Sequence, residues 1–348
     1  MPKGFSEIIT SKALAAYWNV AKNTRSPYFC ESKFPIDKKL GLDISWIKGA
    51  RKNPVMLSLS ALDAKVIPLN RGEITKLSTD MPFFKNSKNI DETQRQELNK
   101  LIGNSNNDGA VKIILNDIFN DKIALVEDAL LTLEIMRMQA LTTGLVSIAS
   151  NGQSYSYDYK LPEGHKVTPS VKWDAEDADP VADINAWADM IENETGVRPT
   201  EGLMNSVTLS KIAKCAAIKN AIYVLGNGKV TPNKKQVLQY LQDECEITFY
   251  VNSKTYENDG KQTKFVSDGT VVLMPGTTLG KTWLGTTPEE SDLMAKTSKA
   301  EVSIVEKGIA ITTTVEDDPV NVKTKVSMVA LPSFELADQV VIASVLTA

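Results

Sequence analysis

The stretch that most resembles a chemical site is Val271–Thr282, VVLMPGTTLGKT, an apolar strand entering a turn that closes on Gly280-Lys281-Thr282. A phosphate-binding loop needs G-x-x-x-x-G-K-[ST], because its glycine-rich turn aims backbone N–H groups at phosphate oxygens ahead of a helix N-terminus. Here Pro275 occupies the first required glycine position and brings no N–H, and Gly276 leaves the loop one residue short. The following Trp283–Pro288 segment, WLGTTP, stops any helix at once. Gly276–Thr282 is therefore a weak nucleotide-binding candidate. The single histidine, His165, lies in the turn-like run Leu161–Lys166. With no neighbour in sequence to orient it, it is expected as an ordinary surface side chain. One histidine also removes most His-based zinc sites and weakens any Ser-His-Asp arrangement. Cys30, Cys215 and Cys245 are few, odd in number and far apart, which suits neither a disulfide framework nor a metal knuckle.

Carboxylates crowd one segment. Asp174, Glu176, Asp177, Asp179, Asp183, Asp189, Glu192 and Glu194 occur with no Lys or Arg before Arg198. They lack the DxDxDG spacing of a calcium loop. The same residues carry helix signals instead: Asp179 as cap, Pro180 at the first position, Gly196 as stop, and Val181, Ile184, Trp187 and Ile191 facing inward. The reading assigns no catalytic, cofactor-binding or metal-ligating residue, and no cofactor.

The elements that would position any site are these. Residues 1–52 hold ten Lys/Arg against four Asp/Glu. From Ser6 to about Lys22 they carry Ile8, Ile9, Leu14, Tyr17 and Trp18 at loosely helical spacing, and an extended stretch from Ser26 to Pro35 follows. Two readings stay open: a solvated helix face with a flexible terminus, or an arm lying on an acidic neighbour or on DNA. Residues 53–84 read as a long β-hairpin, with Val55–Leu59 outward, Glu73–Leu77 on the return, and Asp63, Pro68 and Asn70-Arg71-Gly72 as turn and edge residues. Its few apolar residues cannot form a core of their own, so it is either an extended loop lying on another surface or a mobile hairpin. Its charges Lys65, Arg71 and Lys76 are the candidate inter-subunit contacts, since a projecting hairpin offers them no partner of its own.

A polar stretch over 85–109 follows, with a short helix expected from Asp91 to Leu101. A long helix from about Ala110 to Ile148 comes next, striped by Phe119, Ile123, Val126, Leu130 and Leu133 and widened by Leu131, Ile135, Met138 and Leu141. At 1.5 Å per residue it would run roughly 50–60 Å, which suits a spine rather than a compact domain. Tyr155, Tyr157 and Tyr159 alternate in a second hairpin over 152–173, turning at Pro162–His165 and returning through Val167–Trp173. Helices from Thr208 to about Val224 and from Asn233 to about Glu244 precede a strand at Ile247–Val251, giving an α+β region.

Composition bounds the function. The chain has 348 residues, 42% hydrophobic and 24% charged, with a formal net charge of −4, and its mean hydropathy is −0.17. It can bury a large core, and its charge argues against a general nucleic-acid binder. No apolar run reaches the roughly 18–20 residues of a membrane span, and no apolar leader follows Met1-Pro2-Lys3-Gly4-Phe5.

The C-terminal third carries a series of features in order: Tyr256, Asp259-Gly260, Phe265, Ser267-Asp268-Gly269, the strand Thr270–Met274, and then Gly276, Gly280 and Gly285. Glu289-Glu290-Ser291-Asp292, Asp318-Pro319, Leu331-Pro332, Asp338 and Val340-Val341 complete it. This series resembles the lambda-type major capsid (major head) protein family of tailed bacteriophages, the phage capsid protein E family. The match in residues runs from about Pro199 to the end; over 53–84 it is one of shape.

The resemblance implies an α+β tailed-phage major capsid fold: an N-terminal arm (1–52), an extended β-hairpin loop (53–84), a peripheral domain with a spine helix (85–178), an axial domain (179–280) and peripheral return strands (281–348). It implies self-assembly into hexamers and pentamers of an icosahedral shell around double-stranded DNA, in a virion assembled in the host bacterial cytoplasm, without enzymatic activity or a membrane. Scaffold, portal and decoration proteins are the further partners it brings. No lysine–asparagine crosslink follows from the sequence. The alternatives are another shell or virion protein (an encapsulating nanocompartment or a tail tube) and, more remotely, a nucleotide-binding enzyme using Gly276–Thr282. The spine helix disfavours a tail tube.

Overall fold

A computed structural model describes residues 9–48, 75–90, 96, 100, 108–223, 230–258, 260–298, 300–317 and 320–347. The chain divides into two compact units. The first comprises Met1–Ser45, Ser78–Met136 and Lys281–Ser333, the second Trp46–Leu77, Arg137–Gly280 and Phe334–Ala348. The described α-helices are α1 (Ser11–Ala21), α2 (Asp108–Thr143), α3 (Pro180–Thr195), α4 (Ser206–Ile212), α5 (Ala216–Ile222), α6 (Lys234–Cys245) and α7 (Pro288–Met294).

The first unit is organised by the 13-residue strand Val320–Pro332. One side pairs antiparallel with Ile309–Asp317, which in turn pairs with Glu301–Val305. The other side takes Phe83–Ile90 along Val322–Val329, then Thr282–Leu284 along Ala330–Pro332. Thr282–Leu284 finally pairs in parallel with Ile36–Lys38. Helix α1 packs against Glu301–Val305 and Ile309–Asp317. Its buried face is Leu14 and Trp18, and the Trp18 indole donates to Glu306 at 2.9 Å. Phe34 and Cys30 are fully buried, and the Cys30 N–H donates to Glu134 Oε1 at 3.0 Å. Within residues 9–38 the apolar side chains Ile9, Leu14, Trp18, Cys30 and Phe34 are thus buried. They are spaced to cover a sheet face, and burial outweighs the basic charge around them. Thr10, not Ser6, caps α1 by accepting from Ala13; Ser6 lies outside the described residues.

The second unit holds a five-stranded sheet in the order Lys166–Val167, Val341–Ser344, Thr270–Met274, Glu201–Met204, Thr248–Val251. The central strand Thr270–Met274 is nearly all apolar and buried, as a strand covered on both faces should be. Helix α3 follows its sequence signals: Asp179 accepts from Ala182 N, Pro180 opens the helix, and Gly196 ends it at φ 71°. Ile184, Trp187 and Ile191 join Val237 and Leu241 of α6 and the strand residues Val271 and Leu273 in one core. Gly202 is fixed by close approach, since a Cβ there would stand 2.3 Å from the Phe249 ring.

Four expectations are corrected. Helix α2 runs over Asp108–Thr143 and stops at Gly144, whose φ is 73°; Ile148 belongs to the strand Leu145–Ser150. That strand, and not Val167–Trp173, is the hairpin partner of Gln153–Asp158, through the turn Asn151-Gly152 with φ of 51° and 72°. The helix expected over Thr208–Val224 is two short helices, broken where Lys214 and Cys215 turn the chain. The polar run after Pro82 begins as an edge strand, Phe83–Ile90, whose Lys85, Asn86 and Lys88 suit a position with one paired side. Of the expected α2 stripe, Ile123, Val126, Leu130 and Leu133 are buried, as are Met138 and Leu141, while Phe119, Leu131 and Ile135 are half-buried. Of the short helix expected over Asp91–Leu101, Gln96 and Lys100 are described and helical.

Candidate assembly surfaces

The groups of the glycine-containing turn are engaged by the fold itself. The Gly276 N–H donates to Thr200 Oγ1 at 3.0 Å. The Leu279 carbonyl accepts from the N–H groups of Glu335 and Leu336 at 3.0 and 2.9 Å. Lys281 directs its ammonium at Asp37 Oδ2, 2.8 Å away, and lies over the Trp283 ring. That bond is the chief reason the Asp37 carboxyl sits below the usual carboxylate range. The turn leads into the strand Thr282–Leu284 rather than a helix, so it lacks the helix N-terminus that a phosphate cradle uses, and its lysine is turned to Asp37.

His165 is not a surface residue. It is buried, with Nδ1 3.1 Å from the Val340 carbonyl oxygen and Nε2 2.8 Å from Glu194 Oε2. It ties the start of Lys166–Val167 to α3 and to the C-terminal strand. Its partners lie 29 and 175 residues away, so local sequence could not reveal them.

The carboxylate run is used by helix α3 and its surroundings. Asp179 caps the helix, and Asp183 accepts from the buried Trp173 indole at 2.8 Å. Asp189 and Glu192 share Arg198 at 2.5 and 2.9 Å. Among the described residues no group of three or more His, Cys, Asp or Glu is placed to hold a metal ion. The three cysteines are buried, and burial pushes the thiols of Cys215 and Cys245 up to about 11. A thiol held protonated is a poor nucleophile. No described helix is long and apolar enough to cross a membrane.

Of the candidate inter-subunit contacts, Lys65 and Arg71 lie outside the described residues, as does the strand Val55–Leu59. Lys76 is exposed on Thr75–Asp80, which pairs with Asp43–Lys48 in a two-stranded ribbon. In that ribbon Ile44, Trp46 and Leu77 are buried while Ile47 is 60% exposed. The upstream partner Asp43–Lys48 is a strand that sequence reasoning missed; the alternation of Ile44 and Trp46 with Asp43 and Ser45 was the available signal.

The series at the C-terminal third is structural in detail. Tyr256 and Phe265 bring their ring centroids to 5.0 Å across a tight hairpin, and Gly260 and Gly269 adopt φ of 75° and 78°. Asp268 accepts from Asn205 and from Lys264, and the Lys264 bond chiefly lowers its pKa. Asp259, Asp318 and Pro319 lie outside the described residues.

An α+β chain with one long helix and a sheet in each of two compact units has the architecture of the tailed-phage major capsid fold. Solved structures share it. A prophage protein assigned as a capsid protein in E. coli CFT073 superposes with a TM-score of 0.56 at 15% identity, covering 97% of this chain and 99% of its own. A phage-related protein from Bordetella bronchiseptica RB50 gives 0.57 at 12% identity, with 97% of each chain covered. The capsid subunit of cyanophage A-1(L) gives 0.52 at 11%, with 90% of each covered. At such identities the likeness is one of fold. No curated protein matches the chain. The family of phage major capsid protein E matches residues 10–345. The chain belongs to that family.

Proposed function

We propose that this chain is the subunit of an icosahedral phage or prophage head, and that its work is mechanical rather than catalytic. Copies gather into hexamers and pentamers. Contacts that are weak singly become strong jointly, because each subunit is held at several places at once. In this reading 1–52 is the arm, 53–84 the extended loop, 85–178 and 281–348 the peripheral domain, and 179–280 the axial domain. Scaffold, portal and decoration proteins are the expected partners during assembly in the host cytoplasm, and double-stranded DNA faces the inner surface. The carrying observation is the family match over residues 10–345. The capsid-type fold supports it, as does the engagement of the Gly276–Thr282 turn by Thr200, Glu335, Leu336 and Asp37.

Lys65, Arg71 and Lys76 are the proposed inter-subunit contacts of the extended loop. Sedimentation of the purified protein, alone and with its scaffold, tests the reading: multi-megadalton particles are expected, and a species that stays at 38.1 kDa under every condition contradicts it. Arg71→Glu should shift the distribution toward free subunits. An unchanged distribution removes Arg71 from the contact.

A further inference from the structure

The second unit carries a recess of about 220 Å³ lined by Trp173, Asp174, Glu176, Cys215 and the lysines Lys211, Lys214 and Lys219. The lysines come from α4, from α5 and from the turn between them. That turn is held by the Cys215 thiol donating to the Trp173 carbonyl at 3.3 Å and by the Ala216 N–H donating to the Glu176 carbonyl at 3.1 Å. None of the three ammonium groups is in an ion pair among the described residues. Of the two carboxylates, Asp174 accepts from the Thr347 hydroxyl, which chiefly lowers its pKa with a smaller contribution from Lys211, so the recess carries three ammonium groups against two carboxylates. The sequence sharpens the asymmetry: from Gly202 to Gln242 there are six lysines and no Asp or Glu.

The same unit presents a surface of opposite sign. On the C-terminal half of α3, Asp189 and Glu192, three residues apart and so on one face of the helix, have side chains 60 and 49% exposed. One guanidinium, Arg198, serves both Asp189 and Glu192, so this ridge remains acidic. The recess lies just before the N-terminus of α3. At 1.5 Å per residue Asp189 and Glu192 stand about 14 and 18 Å along α3 from Pro180.

We propose that the lysine-rimmed recess of one copy receives the α3 carboxylate ridge of a second copy. The inference rests on the shell-subunit reading and names a contact for it. Two complementary patches at separate places on one unit make a head-to-tail contact, and head-to-tail contacts close into rings when the rotation permits. Charge complementarity selects a second copy as the occupant, because the chain itself displays the matching ridge. Such a contact fixes register and partner choice and is sensitive to salt.

Charge reversal tests it. Lys214→Glu/Lys219→Glu should raise the concentration for half-maximal assembly at least tenfold, with the isolated subunit melting as the unaltered one does. Adding Asp189→Lys/Glu192→Lys to the same chain reverses both patches and should restore assembly most of the way. Assembly of the Lys214→Glu/Lys219→Glu chain at the unaltered concentration overturns the proposal, including the case in which that chain loses only its retention on duplex DNA. Loss without recovery in the doubly reversed chain also overturns it. Should the reversals unfold the subunit, a cycle of Lys214→Ala against Glu192→Ala decides: non-additive losses are expected, and strictly additive losses contradict the contact. Shell formation by the unaltered chain in the same assay tests the underlying reading separately.

Discussion

The buried imidazole of His165 stands with Nε2 2.8 Å from a carboxylate oxygen of Glu194, whose own side chain is 52% exposed. The other ring nitrogen meets the Val340 carbonyl oxygen at 3.1 Å. The pair joins three separated stretches of the second unit, and its two members differ in what their loss should do. His165→Ala removes a packed ring and leaves the buried Val340 carbonyl without this partner, so the isolated subunit should lose about 1–3 kcal/mol in denaturant unfolding. Glu194→Gln keeps an acceptor at a wet position and should lose less than about 1 kcal/mol. Equal losses would show that the histidine acts only through the carboxylate.

The turn Asn151-Gly152 gives a second test. Gly152 has φ 72°, and a Cβ added there would find no atom within 4 Å, so a methyl group meets no steric neighbour and acts through the backbone alone. Gly152→Ala should destabilise by about 1 kcal/mol. Gly164 is equally open but lacks a positive φ, so Gly164→Ala should be neutral or slightly stabilising. Thermal melts of the two variants side by side decide it.

Gly202 answers to packing instead. Gly202→Ala drives a methyl into the Phe249 ring, and overpacking of this kind costs about 1–3 kcal/mol. Phe249→Leu in the same chain opens space and should recover part of the loss. Failure of the second change to help would place the strain in the backbone.

Lys122 supplies a pH dependence. It is buried on α2 with its ammonium donating to the Lys88 carbonyl at 2.6 Å, and burial lowers its pKa from 10.5 to about 8. The folded chain therefore sheds this proton at a lower pH than the unfolded chain. Between about pH 8 and 10.5 the unfolded state binds more protons, and this group's contribution to stability rises with pH; below pH 8 the charged amine opposes folding in full. Lys122→Met should raise the melting temperature by about 2 °C at pH 7, and the gain over the unaltered chain should vanish near pH 10.5. A gain independent of pH would assign it to packing alone.

Much of this molecule was legible because its signals are local. Asp179, Pro180 and Gly196 mark both ends of α3 within the residues that form it. The stripe Ile123, Val126, Leu130 and Leu133 announces a buried helix face by spacing alone. The failures have physical causes too. Leu145 and Ile148 continue an apolar pattern past Gly144, and that pattern masked the Asn151-Gly152 turn, although such a pair between apolar runs is a strong hairpin signal. Phe83–Ile90 is polar because it is an edge strand, so what fixes it is backbone pairing to Val322–Val329, far away in sequence. The environment of His165 depends on Glu194 and Val340, and only the folded sheet brings them together.

The central claim is that this subunit's function is to build a closed shell from copies of itself. Electron microscopy of the purified protein, expressed alone and together with a candidate scaffold protein, tests that most directly. The account predicts closed icosahedral particles with hexameric and pentameric clusters resolved on their surface. A uniform population of single subunits in both preparations would contradict it.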